Sequence, residues 1–254
     1  MTNGPSTPQS NILPPPEHKA AYVRQMFGHI ARRYDLMNRL MTLGQDRAWR
    51  RYTVTHVSLA GDDSRPSPGR LLDVATGTGD LALEASRQQP GSQVVGLDFT
   101  SEMLALAQHK AIEVRADLDL IGGDAMRLPF ADGAFEAVVT GFALRNVSDI
   151  PAAFAEMARV TCPGGRVACL EISKPRLTLF RRLFALYFYR LVPLVGGWIS
   201  GQRAAYTYLP HSLTGFLTPD EIVAVMCRTG WVDVSYRRMM LGTVAVHVGT
   251  RGTD

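Results

Sequence analysis

Residues 71–83 read LLDVATGTGDLAL. A short apolar run enters Gly77-Thr78-Gly79, and helical spacing begins at Asp80, so the stretch reads as strand, glycine turn, helix. Glycines at such a turn let the backbone approach a ligand at the carboxyl edge of a sheet. Outward from this point strands and helices alternate. The expected strands are Arg70–Ala75, Gln93–Asp98, Asp119–Gly122, Phe135–Gly141 and Gly165–Ile172. The expected helices are Leu81–Gln88, Ser101–Glu113 with Ser101 as N-cap, Ile150–Thr161 and Thr218–Thr229. Val232–Arg237 and Thr243–Thr250 form a closing strand pair. The alternation predicts an α/β fold, a doubly wound, mostly parallel sheet with helices on both faces.

Upstream, residues 18–59 look helical, with Met26, Phe27, Ile30, Tyr34, Met37 and Leu40 on one face. Residues 1–16 read as a disordered tail in which Pro14-Pro15-Pro16 blocks helix and sheet. Residues 61–69, GDDSRPSPG, read as a loop. The chain therefore divides into a tail (1–16), an N-terminal helical segment (17–60) and an α/β domain (70–254), the last with an apolar and basic segment inserted at 174–203.

With 254 residues, 46% of them apolar and 20% charged, the composition is globular and excludes a fibrous or disordered protein. No run of 18 uncharged apolar residues offers a membrane span, and the N-terminus lacks a secretory pattern. Three cysteines without metal-ligand spacing (Cys162, Cys169, Cys227) point to a reducing, cytoplasmic setting and away from zinc. Charge is uneven. Residues 17–70 carry 10 basic and 5 acidic side chains, residues 71–150 carry 5 and 12, and residues 151–254 carry 12 and 6. An acidic centre suits a cationic small ligand, and basic ends suit phosphate, nucleic acid or an anionic membrane surface.

Gly77, Gly79 and Ala82 satisfy the loose pattern G-x-G-x-x-A, so a dinucleotide site is not excluded by pattern. Asp73 weighs against it. A carboxylate just before the glycine turn repels a pyrophosphate and attracts, through ordered water, a cationic amino acid or sulfonium. S-adenosylmethionine (SAM) is cationic and has no phosphate, so Asp73, Asp80 and Asp98 favour it. Asp98, ending the second strand, is placed to take both ribose hydroxyls. The alternative for Asp80 is a charge stabilised at a helix start. Asp124 can accept from the adenine amine while Ala125 offers its backbone N–H, and Gly141 leaves room for the methionine portion. The alternative for Asp124 is an ordinary turn residue.

The stretch from Leu71 to Ser173 resembles the class I SAM-dependent methyltransferases, which implies a seven-stranded Rossmann-like sheet. More narrowly, three blocks resemble the quinone-biosynthesis C-methyltransferases, which act on demethylmenaquinol and, in some bacteria, on a ubiquinone precursor. They are YDLMNRLMTLGQDRAW (34–49), GFALRNV (141–147) and RVTCPGGRVACLEISKP (159–175). The resemblance implies that Thr78, Asp98, Asp124 and Ala125 contact SAM, and that the N-terminal helical segment is a lid carrying Tyr34, Asp35 and Asn38. These residues either close over the cofactor or line the quinol pocket, in which case Tyr34 and Asn38 bind substrate; the alternative is a packing tyrosine and a polar rim. It departs from the family at Gly141, where Ser is common, and at Thr42, Asp46, Cys162 and His211. Residues GLDF (96–99) and CLEISKP (169–175) look closer to the menaquinone-type members.

The implied reaction is methyl transfer to a ring carbon of a reduced, prenylated quinone, without a metal. Arg145 and Asn146 are the first catalytic candidates, Arg145 for a phenolate and Asn146 for a ring oxygen; Arg145 also counts as a substrate-binding residue. The alternative for Arg145 is an ion pair with the acidic central region. Asp124 is a candidate base through water. Glu171 either borders the pocket or pairs with an arginine. Segment 174–203 mixes aromatic and aliphatic bulk with Arg176, Arg181, Arg182 and Arg190, which fits an interfacial helix on a membrane, and equally a buried cover helix with solvated arginines. Peripheral membrane contact at the inner face and a homodimer are compatible with the chain. Nucleic acid is not an expected partner, because the amine-methylating Asn/Asp-Pro-Pro-aromatic loop is missing after the fourth strand. Competing readings are a methyltransferase of another lipid or small molecule, and a non-catalytic SAM-binding module.

Overall fold

The computed structural model describes residues 14–57, 59, 69–200 and 203–253. Seven strands form one sheet. They are β1 (Arg70–Val74), β2 (Gln93–Asp98), β3 (Asp119–Gly122), β4 (Phe135–Gly141), β5 (Thr161–Ile172), β6 (Trp231–Met239) and β7 (Val244–Arg251). Their spatial order is β3-β2-β1-β4-β5-β7-β6. Strands β1 to β5 pair in parallel, and β7 runs antiparallel between β5 and β6. β1 lies between β2 and β4 and is covered on both sides, which is why LLDV is a continuous apolar run rather than an alternating one.

Neighbouring residues of β1 point to opposite faces. Leu71 packs with Leu81, Ala82, Ala85 and Ala111, from α3 (Asp80–Gln88) and α4 (Ser101–Val114). Leu72 packs with Phe154 and Met157 of α5 (Ile150–Val160) and with Ile222 and Met226 of α9 (Pro219–Arg228). The N-terminal segment is two helices, α1 (Pro16–Met41) and α2 (Asp46–Thr55), broken where Leu43 and Gly44 adopt φ of +52° and +75°. Segment 174–203 is a chain of helical pieces rather than one helix: α6 (Thr178–Leu186), a π-turn at Tyr187–Leu191 and α7 (Val192–Ser200). It is followed by α8 (Arg203–Leu213). Ile30 and Met37 of α1 share a separate apolar core with Phe188, Val192, Tyr206 and Leu213.

Several expectations need correction. Pro16 opens α1, because a proline at the first helical position loses no hydrogen bond that the helix would have made. The N-cap of α4 is Thr100 rather than Ser101, and no side chain caps it. β5 starts at Thr161, four residues early, through a register irregularity against Phe135/Ala137. The expected loop at 61–69 lies outside the described residues apart from Gly69, and the expected tail lies outside them up to residue 13.

Candidate active site

The glycine turn forms as its sequence requires. Gly77 and Gly79 take φ of +57° and +81°, where a side chain is disfavoured, and a Cβ on Gly79 would meet Ala107 Cβ at 3.0 Å. Ala75 and Phe142, just past the ends of adjacent strands β1 and β4, also hold left-handed φ, at +57° and +58°. Such strain concentrates at ligand sites. Asp98 fixes the turn from the neighbouring strand. Its Oδ2 accepts from Gly77 N–H at 2.8 Å and its Oδ1 from Thr100 N–H at 2.8 Å. Burial raises its pKa despite these bonds.

Two cavities meet here. The first encloses about 780 Å³ and is lined by Gly77, Asp98, Phe99, Met103, Asp124 and Ala125, among others. Among the described residues, the charged side chains that line it are the carboxylates Asp98 and Asp124. Two carboxylates on the lining weigh against a pyrophosphate there and hence against the dinucleotide alternative. The second encloses about 1210 Å³ and is mainly apolar, with Phe180, Phe184 and Tyr187 on one wall and Arg145, Asn38 and Asp46 among the polar groups. Tyr34 and Phe142 line both cavities and form the partition between them. Gly141 lines the first cavity, and a Cβ there would make only an ordinary 3.5 Å contact with Leu81.

Arg145 is buried and pairs with the fully buried Glu171 at 3.3 Å, not with the acidic central region. Glu171 also accepts from Leu144 N–H at 2.7 Å. Burial outweighs Arg145 and raises the Glu171 pKa. Arg145 Nε is buried with no acceptor among the described residues, and the Arg145 side chain lines the second cavity. Asn146 faces the first cavity and takes a weak 3.4 Å bond from Tyr208 Oη. Asp124 lines the first cavity and not the second, so its assignment as a base for the quinol is withdrawn.

Three other expected cofactor residues sit behind the turn. Asp73 is buried beneath it and does not line the cavity. Its Oδ2 accepts from the Thr76 hydroxyl at 2.6 Å and its Oδ1 has no partner. Thr78 gives its hydroxyl to Asp35 Oδ1 of α1 at 2.6 Å. Asp80 pairs with Lys110 and, at 3.4 Å, with Arg50. Burial alone would raise the Asp80 pKa, but the two cations hold it low. Asp80 is thus part of an ion cluster, and its count as a ligand-attracting carboxylate is corrected.

Lys110 also bonds Asp35 Oδ2 at 2.9 Å, so α1 is latched to α4 and to the glycine turn. Sequence reasoning missed Lys110, because nothing local marks a lysine 75 positions from its partner. Lys110→Met should raise KM for SAM about tenfold, or about 1.4 kcal/mol, with kcat changed less than twofold. Steady-state kinetics at varied SAM would check this, and an unchanged KM would leave the latch without a role in cofactor capture.

Burial pushes the Asp73 carboxyl up to about 7, with the Thr76 hydroxyl opposing. The folded value lies above the unfolded one, so the native state holds an extra proton and stability falls as pH rises from about 4 to about 7. His247 acts oppositely: burial lowers it to about 4, so stability falls as pH drops below its ordinary value. The comparison of wild type with Asp73→Asn isolates the first effect. The variant should gain a few kcal/mol relative to wild type between about pH 4 and 7, read from urea unfolding. A pH-independent difference would sink the assignment.

The sheet with its single antiparallel strand, and a cavity lined by two carboxylates at its carboxyl edge, fit a SAM-dependent methyltransferase of class I. The fold likeness extends to a solved SAM-dependent methyltransferase from Aquifex aeolicus, with TM-score 0.53 and 16% identity over 73% of this chain and 83% of that one. The chain belongs to the ubiE/COQ5 methyltransferase family, whose profile matches residues 16–251. It is 48% identical to a demethylmenaquinone methyltransferase of Roseiflexus castenholzii, over 95% of this chain and 98% of that protein. It is 42% identical to a ubiquinone/menaquinone biosynthesis C-methyltransferase UbiE of Desulfotalea psychrophila, over 92% of each.

Proposed function

We propose that the chain transfers a methyl group from SAM to a ring carbon of a prenylated hydroquinone, converting demethylmenaquinol to menaquinol. The observation that carries this is the meeting of an acidic cavity and a large apolar chamber at Tyr34 and Phe142. Similarity to relatives named for demethylmenaquinone supports the substrate.

Asp98 is placed for the ribose hydroxyls, Asp124 and Ala125 for the adenine edge, and Phe99 and Met103 for its face. When bound, SAM supplies an electrophilic methyl group. The ring must be reduced, since an oxidised ring carbon is itself electrophilic. Arg145 offers its guanidinium to the phenolate that forms when a ring hydroxyl gives its proton to water, which raises electron density at the ortho carbon. The proton on that carbon leaves to water once the carbon is methylated, and the ring regains aromaticity. Tyr34 with Phe142 excludes water from the methyl path, and Asn146, which like Asp124 lines the first cavity and not the second, is assigned no ring oxygen. Asp73 and Thr78 act from behind the turn, by shaping the loop and latching the lid.

The test is transfer of labelled methyl from SAM to chemically reduced demethylmenaquinone and, separately, to a demethylated ubiquinone precursor. Label in the first alone is the expected result. Label in both would make the enzyme dual, a reading that the likeness to the UbiE-named relative favours. No label in either, with SAM bound, would overturn the proposal.

A further inference from the structure

The mouth of the apolar chamber is built from side chains that water should not see. Leu43 of the α1–α2 corner, Leu183 of α6 and Met240 of the β6–β7 corner line the chamber, yet they are 80%, 56% and 43% exposed. These three come from separate parts of the chain and converge only at this opening. Two of them, Leu43 and Met240, hold left-handed φ of +52° and +47°, an unfavourable conformation for a large residue in a solvated loop.

Helix α6 is amphipathic, with Arg181 and Arg182 on one side and a broad apolar face on the other. Phe180, Phe184 and Tyr187 face the chamber, whereas Leu179 and Leu186 lie on the outer side, 74% and 63% exposed. A helix with a broad apolar face bordered by cations is suited to lie in a lipid interface. The outer apolar surface continues along the same helical chain to Leu194 and Trp198, 64% and 88% exposed. Exposed arginines interrupt it at positions 176, 181, 182 and 190, and between Glu171 and Asp220 the sequence holds no acidic residue. A protein partner matched to this face would need a large apolar patch ringed by carboxylates. A bilayer with anionic headgroups supplies both features at once, and the cations fall where headgroups would lie.

We infer that this rim is a membrane-docking face, which seats α6 and the two corners in an anionic lipid surface so that the chamber opens directly into hydrocarbon. Resting on the proposed function, the inference explains how a prenylated ring enters without its tail crossing water. The tail stays in lipid while the ring passes between Leu43, Leu183 and Met240 to reach Arg145.

Leu179→Ser/Leu186→Ser and Arg181→Glu/Arg182→Glu change only exposed side chains outside both cavities. Each would be compared with wild type in flotation with phosphatidylglycerol vesicles and with phosphatidylcholine vesicles. Wild type should float with the anionic vesicles and release at high salt. Both variants should bind them at least tenfold more weakly. Methyl transfer to a tailless, water-soluble quinol should stay within twofold, and transfer to a long-tailed quinol embedded in vesicles should fall at least tenfold. Wild type remaining in solution, or variants floating as wild type does, would overturn the inference. So would a wild-type dimer that dissociates in the leucine variant without any vesicle binding, which would assign the face to a second copy of the chain. Vesicle binding with the expected losses but no methylation of either quinol would leave docking standing and overturn the substrate assignment alone.

Discussion

Asp98→Ala should weaken SAM binding by at least a hundredfold and abolish measurable methyl transfer at ordinary cofactor concentrations. Two effects combine. The carboxylate proposed for the ribose hydroxyls is lost, and two backbone donors lose their acceptor, Gly77 N–H and Thr100 N–H. Thr100 is fully buried, so its N–H cannot turn to water. Each unpaired buried donor costs about 1–3 kcal/mol, and the glycine turn, held in left-handed φ by the bond to Asp98, relaxes. Asp98→Asn should be nearly as damaging, because one face of the amide presents N–H groups to another N–H. Titration calorimetry with SAM reads the loss, and a change under threefold would refute the role. Vesicle docking should be unaffected, since the rim lies on the other cavity.

Arg145→Met should lower kcat by about 10²–10³, the range seen when one preorganised donor to a developing oxyanion is removed. It should also destabilise the fold by about 3–5 kcal/mol, because Glu171 is left buried without its cation. The second effect is separable. In Arg145→Met/Glu171→Gln the buried charge is gone and the amide oxygen still accepts from Leu144 N–H, while the amide NH2 meets Ile172 N–H, so stability should return in part while kcat stays low. Chemical denaturation and single-turnover methyl transfer together check this. Recovery of both in the double variant would make Arg145 a structural cation and remove it from the chemistry.

The central motif was legible because its information is local. LLDV needs burial on both faces, and Gly77 and Gly79 need positive φ, so the strand, the turn and the start of α3 follow from thirteen residues. The strands from β1 to β4 match their sequence limits to within a residue for the same reason. The family blocks carried the likeness to quinone methyltransferases before any coordinates.

What the sequence did not contain is which carboxylate faces the ligand. Asp73, Asp80 and Asp98 look alike in a string. Tertiary structure turns only Asp98 to the cavity, buries Asp73 under the turn and gives Asp80 to Lys110 and Arg50. The helical break at Leu43 and Gly44, by contrast, has a local mark in Gly44 itself, a glycine just past the end of α1 that takes φ of +75°. The sequence by itself determined the class of sheet, the glycine turn and the chemistry of the residues around it. Only the tertiary structure decided their partners, because a hydrogen bond or an ion pair between residues 35 and 110 depends on how α1 lies against α4, and no local propensity encodes that packing.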